Sequence, residues 1–270
     1  MPYDYAIHSD YLIHWTGKDI DQTHDPEWAS NDKSTTSEKV EKLYLDRLYN
    51  ILKHGLWMTR EDELTFGSSI LIPSTPKCCF TELKISQSRQ HARQYGRLGI
   101  GVKRPFLFKR FGRPLAYFGF KETDSDELLK ACAQELSDKN LLNFFKPMNS
   151  TRVLNYDLYG ESEWRILFFE ELLKKKLIID PRDHNNQEAA DYLTELGEKS
   201  RKNCRYLIPL DGWLSMIIYP SRRAKVKAQK DDSSPIHQEI KKIKLKKDHG
   251  NAVEEGNWPI ELNLDACRQF

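Results

Sequence analysis

The sequence predicts an α+β fold, on three observations. One long amphipathic helix comes early, with Val40, Leu43, Tyr44, Leu48, Ile51 and Leu52 at helical spacing. Several strand-like segments follow it, among them the apolar run Trp164 to Phe169. No internal repeat runs through the chain, and the mixed order of helices and strands belongs to α+β proteins. A chain of 270 residues with 39% hydrophobic residues can bury a sizeable core, as one large domain or two small ones.

Taken in order, Tyr11–Thr16 reads as a first strand closed by Gly17, followed by a polar loop to about Thr36. Thr35 with Glu38 fits a capping box for the long helix, and Gly55 is its stop. Leu56–Met58 is a short extended piece, and the residues from Cys78 to Glu82 form a strand after Pro73 and Pro76. A short polar helix from Ser86 to Tyr95 ends at Gly96. Leu98–Val102 is a strand whose Gly99 and Gly101 imply a close backbone approach. Pro114–Phe120 is a strand, Asp124–Leu136 an amphipathic helix and Asn186–Lys199 another helix. Arg205–Ile208 and Leu214–Tyr219 are core strands. Ser234-Pro235 starts a helix with Ile236, Ile240 and Ile243 as a narrow apolar stripe, and Trp258–Leu262 is a final strand.

Composition excludes several classes. No run is apolar and long enough to span a membrane, and the N-terminus lacks the basic and apolar parts of a signal peptide. Five cysteines, odd in number and without CxxC spacing, predict a reduced cytoplasmic protein. Eight histidines form no HExxH cluster, so no metal site is expected. There is no P-loop, GxGxxG or Ser-His-Asp order, which leaves kinase, dehydrogenase and hydrolase readings without support.

Two stretches carry candidate chemistry. The first is Tyr159-Gly160-Glu161-Ser162-Glu163-Trp164-Arg165, with a bend or bulge expected at Gly160. On a strand Glu161 and Glu163 project from one face, and paired carboxylates beside a buried strand call for a positive partner. That partner is a substrate developing positive charge or, in the alternative, a nearby arginine at a solvated strand end. The second stretch begins at Arg222. Arg222, Arg223, Lys225, Lys227, Lys230, Lys241, Lys242, Lys244, Lys246 and Lys247 face only Asp231, Asp232 and Glu239. It reads as a basic arm for nucleic-acid phosphates or as the solvated face of a helix docked by its isoleucines.

Together these pieces resemble the ADP-ribosyltransferase superfamily. Ile13-His14-Trp15-Thr16-Gly17 is similar to its His-x-Thr strand motif, Asn50–Leu56 to the helix end of its DNA-modifying toxins, and Glu163 of Glu-x-Glu-Trp-Arg to its catalytic glutamate. Cys79-Phe80-Thr81-Glu82, His91, Tyr95-Gly96 and Gly99–Gly101 fall in matching order. The spread from Phe80 to Gly101 with Glu163-Trp164-Arg165 also resembles AbiGi, an abortive-infection family of phage-resistance antitoxins. The resemblance covers most of residues 10–220.

The resemblance implies a split β-sheet core with peripheral helices over residues 1–221, with 222–270 a basic C-terminal extension packed on or beside it. It implies NAD as co-substrate, held by His14, Trp15, Thr16, Phe80, Thr81 and Tyr95. Phe80–Thr81, Tyr95 and Tyr117 compete for the motif position that orients nicotinamide. Glu163 would stabilise oxocarbenium character at the ribose, and Glu161 would orient or deprotonate the acceptor. His14, Glu161 and Glu163 are expected to converge on one cleft. The implied activity is a cytoplasmic ADP-ribosyltransferase toxin of a phage-defence or toxin–antitoxin system, with a neutralising antitoxin as partner and no membrane association. Its acceptor is RNA or single-stranded DNA, met by Arg222, Arg223, Lys241, Lys242 and Lys244. The alternative is a non-catalytic antitoxin, or a nucleic-acid-binding protein, on the same fold.

Overall fold

A computed structural model describes residues 11–31, 36–66, 70–82, 85–118, 127–147, 149–150, 156–157, 162–230, 234–245 and 258–269. Helix and strand are mixed, with a mixed parallel and antiparallel sheet, as in the α+β class. The chain forms two compact units interleaved in sequence. One comprises Met1–Leu56, Phe80–Phe106 and Pro209–Phe270, and the other comprises Trp57–Cys79 and Leu107–Ile208. Residues 222–270 thus fall in the same unit as the first strand, and the expected boundary at 221 lies within that unit.

In the first unit, Tyr11–Thr16 runs antiparallel to Leu98–Lys103, from Tyr11 opposite Lys103 to Thr16 opposite Leu98. Leu98–Lys103 pairs antiparallel with Leu214–Tyr219 across an irregularity between Leu214 and Met216. Leu214–Tyr219 pairs parallel with Ile260–Asn263. On its other side Tyr11–Thr16 meets Thr81, opposite Ile13. The glycines of the central strand sit where this packing is tight, most of all Gly101. A Cβ at Gly101 would stand 2.6 Å from Cβ of Met216, and one at Gly99 would stand 3.1–3.2 Å from Ile13, Ile218 and Trp15. Ile13, Trp15, Trp28, Ala92, Met216, Ile218, Leu264 and Cys267 form a core against the sheet.

The long helix spans Glu38–His54 and buries Val40, Tyr44, Leu48, Ile51 and Leu52. Its N-cap is Ser37, whose hydroxyl accepts from the Val40 amide, so the expected cap is corrected; Thr35 lies outside the described residues. Gly55 ends it with φ of 103°, a conformation that side chains with a Cβ rarely adopt. Helices Arg222–Ala228 and Pro235–Leu245 pack on it, the latter with Ile236, Ile240 and Ile243 buried.

The expected polar loop before Thr36 is instead two helices, Lys18–His24 and Pro26–Asn31. Their polar residues serve a buried cation. Arg97 is fully buried, and its Nη2 donates to Asp21 at 2.6 Å and to Asp25 at 2.8 Å. Its guanidinium also lies 4.7 Å from the centre of the Trp28 ring.

In the second unit, Glu163–Leu167 is buried along its whole length and pairs antiparallel with Arg113–Pro114, Trp164 opposite Pro114. The expected strand Pro114–Phe120 breaks at Leu115, whose amide donates to the Glu163 carbonyl at 2.9 Å. The chain then re-pairs as Ala116–Phe118, parallel to Phe145–Pro147. The expected helix Asn186–Lys199 is two, Gln187–Glu195 and Glu198–Asn203, parted at Leu196-Gly197. Phe168 and Phe169 lie beyond the strand end, and Phe168 N–H donates to the Pro76 carbonyl.

Candidate functional site

The residues nominated for the nicotinamide end of NAD gather in the first unit, around the end of its first strand. His14 and Thr16 are half-buried and two apart on the strand, so they share a face, while Trp15 is buried on the other. The His14 ring lies 5.8 Å from that of Phe80, which is buried and lies 6.3 Å from Phe106. Thr81 is buried opposite Ile13. Tyr95 is exposed, at the end of helix Ser88–Tyr95, with its ring 5.7 Å from His91.

The next residue, Gly96, has φ of 105°, and a Cβ there would overlap the backbone of Thr16, Gly17 and Lys18. A second contact fixes the same turn. Tyr44 Oη donates to the Gly17 carbonyl at 3.0 Å and accepts from the Arg97 amide at 2.9 Å. Burial, then the Asp21 charge, pushes the Tyr44 hydroxyl far above the ordinary phenol value, so it stays protonated and able to donate.

Glu163 opens its strand in the second unit and is buried. Its Oε1 accepts from Arg165 Nε at 2.7 Å, and its Oε2 accepts from Lys146 Nζ at 2.5 Å. Its own amide donates to Tyr117 Oη at 2.9 Å. Tyr117 and Lys146 are register partners on the parallel strands, so one pairing delivers both to Glu163. Arg165 Nη1 donates to the Asn143 carbonyl at 2.6 Å, and the Asn143 side chain accepts from Lys77 Nζ at 3.4 Å. Lys77 in turn pairs with Glu61 at 2.6 Å.

Burial alone would raise the Glu163 pKa. The charges of Arg165 and Lys146 overcome that and bring it down to about 2. Tyr117 was a contender for the nicotinamide motif and here meets the backbone of Glu163 instead. Lys146, Asn143 and Lys77 are members of this network that sequence reasoning missed. No motif marks them, because Tyr117 and Lys146 meet through strand pairing across a long sequence separation.

Two parts of the expected site change. Ser162 has φ of 45°, so the strand starts at Glu163 and the two-residue alternation cannot be carried back across Ser162. Glu161 and Gly160 lie outside the described residues. The solvated strand end is also corrected: an arginine does pair with Glu163, but inside the protein. His14 and Glu163 fall in different units.

Most of the nominated phosphate-binding cations already have partners. Arg223 donates to Glu41 at 2.7 Å and to the Thr36 carbonyl at 2.9 Å. Lys242 pairs with Glu239 at 2.6 Å. Lys244 donates to the Leu214 carbonyl at 2.7 Å, and burial, with the charge of Lys103, lowers its pKa. Arg222 and Lys241 are exposed, and Lys246 and Lys247 lie outside the described residues.

Among the described residues no group of three His, Cys, Asp or Glu side chains could hold a metal ion, and no helix is long and apolar enough to cross a membrane. Comparison with protein-family models, with curated proteins and with solved structures finds no match for the chain.

Proposed function

We propose that the protein is an ADP-ribosyltransferase that uses NAD as substrate and nucleic acid as acceptor, in the toxin role of a bacterial phage-defence system. The observation that carries this reading is Glu163. It is a buried carboxylate with a pKa of about 2, and so is fully ionised at neutral pH. A carboxylate held charged and oriented away from water is the group that stabilises a developing oxocarbenium ion. In the first unit, the resemblance at His14, Thr16 and Phe80 falls on a polar strand face beside an aromatic ring.

In the reaction the bond between ribose C1′ and nicotinamide breaks, and its electron pair leaves with nicotinamide. A nucleophilic atom of the acceptor bonds to C1′ and gives up its proton, for which Glu161 is the nominated base. Each Glu163 oxygen accepts from one cation and keeps a lone pair for a ribose hydroxyl.

A second reading rests on the same contacts. Glu163 would then serve only to neutralise Arg165 and Lys146, and the protein would be a non-catalytic binding protein or antitoxin. Incubation with labelled NAD and separate pools of RNA, DNA and protein decides between the two. The transferase reading expects label in a nucleic-acid pool and loss of NAD affinity in His14→Ala. Absence of label from every pool selects the binding protein.

A further inference from the structure

We infer that the second unit carries a surface for single-stranded nucleic acid, built from the stacked rings of Phe168 and Tyr206 and the guanidinium groups of Arg60, Arg182 and Arg205. The two rings stack nearly parallel, with centroids 4.4 Å apart and planes 10° apart, and both remain half-exposed. A half-exposed aromatic stack is a platform on which a base can lie without regard to its identity.

Backbone pairing puts the arginines around it. The Arg205 amide donates to the Met58 carbonyl at 3.0 Å, which sets Arg205 and Tyr206 beside the segment leading to Arg60. Thr59 and Lys77 exchange backbone hydrogen bonds, and Phe168 N–H donates to Pro76, so the Phe168 ring arrives at the same place. Arg60 is exposed. Arg182 is exposed and held by the carbonyls of Arg205 at 2.9 Å and Cys204 at 2.8 Å, which keeps its charge at the surface. Asp180 stands 3.8 Å from Arg182 and is the acid that acts on Tyr206.

An independent observation points to an anionic ligand. Nε of Arg205 is buried, and among the described residues no hydrogen-bond acceptor meets it. A buried guanidinium nitrogen without an acceptor is costly, and a phosphate oxygen is the acceptor that suits it. The charges that act on the Tyr206 hydroxyl are of both signs, and its pKa is raised on balance. Burial and Asp180 raise its pKa, while Arg182, Arg60 and Arg205 act in the opposite direction. Arginines with stacked aromatics are the combination used for unpaired bases and their phosphates.

This surface would hold the acceptor of the proposed transferase, and it rests on that reading only for its purpose. Its test therefore uses no NAD. Fluorescence anisotropy measures binding of a fluorescein-labelled single-stranded oligonucleotide of about 12 nucleotides, a length within the usual site range. RNA and DNA versions and the matching duplex are compared across a salt series. We expect the single strand to bind more tightly than the duplex. Tyr206→Leu should lower single-strand affinity about ten-fold through lost stacking.

Arg60→Gln, at an exposed position, should weaken binding and reduce the salt slope by about one. Arg60→Gln with Arg205→Gln should reduce it by about two. No binding by the wild type, equal binding of duplex, or an Arg60→Gln variant with unchanged affinity and slope would each overturn the proposal. If Tyr206→Leu does not fold, Arg60→Gln still decides. Oligonucleotide binding without NAD turnover leaves this surface standing and ends the transferase reading. Turnover without binding does the reverse.

Discussion

Replacing Glu163 with Gln is nearly isosteric, yet the structure makes it destabilising. Each carboxylate oxygen accepts from a cation, Arg165 at 2.7 Å and Lys146 at 2.5 Å, and Gln removes the negative charge that both of them meet. The pKa falls from an ordinary 4.5 to about 2. At about 1.4 kcal/mol per unit, that difference of about 2.5 units corresponds to ~3 kcal/mol favouring the ionised form in the folded protein. Breaking a buried ion pair by removing one partner falls in the same range, about 3–5 kcal/mol.

The sign is set by linkage. The folded pKa lies below the unfolded one, so the contribution is complete above about pH 4.5 and disappears as pH falls through about 2. Urea unfolding followed by tryptophan fluorescence, in wild type and Glu163→Gln, should give a gap of ~3 kcal/mol at neutral pH that closes between about pH 4.5 and about pH 2. A gap below about 1 kcal/mol at neutral pH, or one that stays constant through the acid range, would refute this account of Glu163.

Two further substitutions probe the frame around the first strand. Gly101→Ala places a Cβ 2.6 Å from that of Met216 and should cost about 1–3 kcal/mol in thermal or chemical unfolding, while Gly99→Ala, with contacts of 3.1–3.2 Å, should cost less. Tyr44→Phe removes the acceptor of the Arg97 amide and one donor to the Gly17 carbonyl, which also accepts from the Ile20 and Asp21 amides. It should destabilise by about 1–3 kcal/mol and speed hydrogen exchange at the Arg97 amide. Exchange unchanged from wild type would mean that Tyr44 does not hold that turn.

The sheet of the first unit was legible because its signals are local. Tyr11–Thr16 ends at Gly17, and the Gly99 and Gly101 pair marks a strand crowded on one face by both flanking strands, which is what Ile13 on one side and Met216 and Ile218 on the other do. The strands of the second unit were harder to read, because two- and three-residue strands such as Arg113–Pro114 and Phe145–Pro147 carry too few residues to show alternation. The segment before Thr36 misled for a different reason. Asp21 and Asp25 look like loop residues, yet they are the partners of Arg97, more than 70 positions away in sequence. A polar segment can fold as helix when a buried cation elsewhere in the chain requires its carboxylates.

The same reasoning separates the two basic regions. Between Arg222 and Lys247 the local sequence holds few acids, so the run looks uncompensated. In the fold its partners come from afar. Glu41, 182 positions before Arg223, takes that guanidinium, and carbonyls at Gly212 and Leu214 take Lys244. Charge density along a chain therefore overstates the charge offered to a ligand, because a cation bonded to a buried carboxylate must lose that partner before it can bind a phosphate. Arg205 is the opposite case. Nothing in its sequence neighbourhood distinguishes it, and it becomes visible only when acceptors are matched to donors and its buried Nε is left over among the described residues. A guanidinium whose Nε meets no acceptor among the described residues, set beside a stacked pair of half-exposed rings, is better placed to bind an anion than cations such as Arg223, Lys242 and Lys244 that are bonded within the protein.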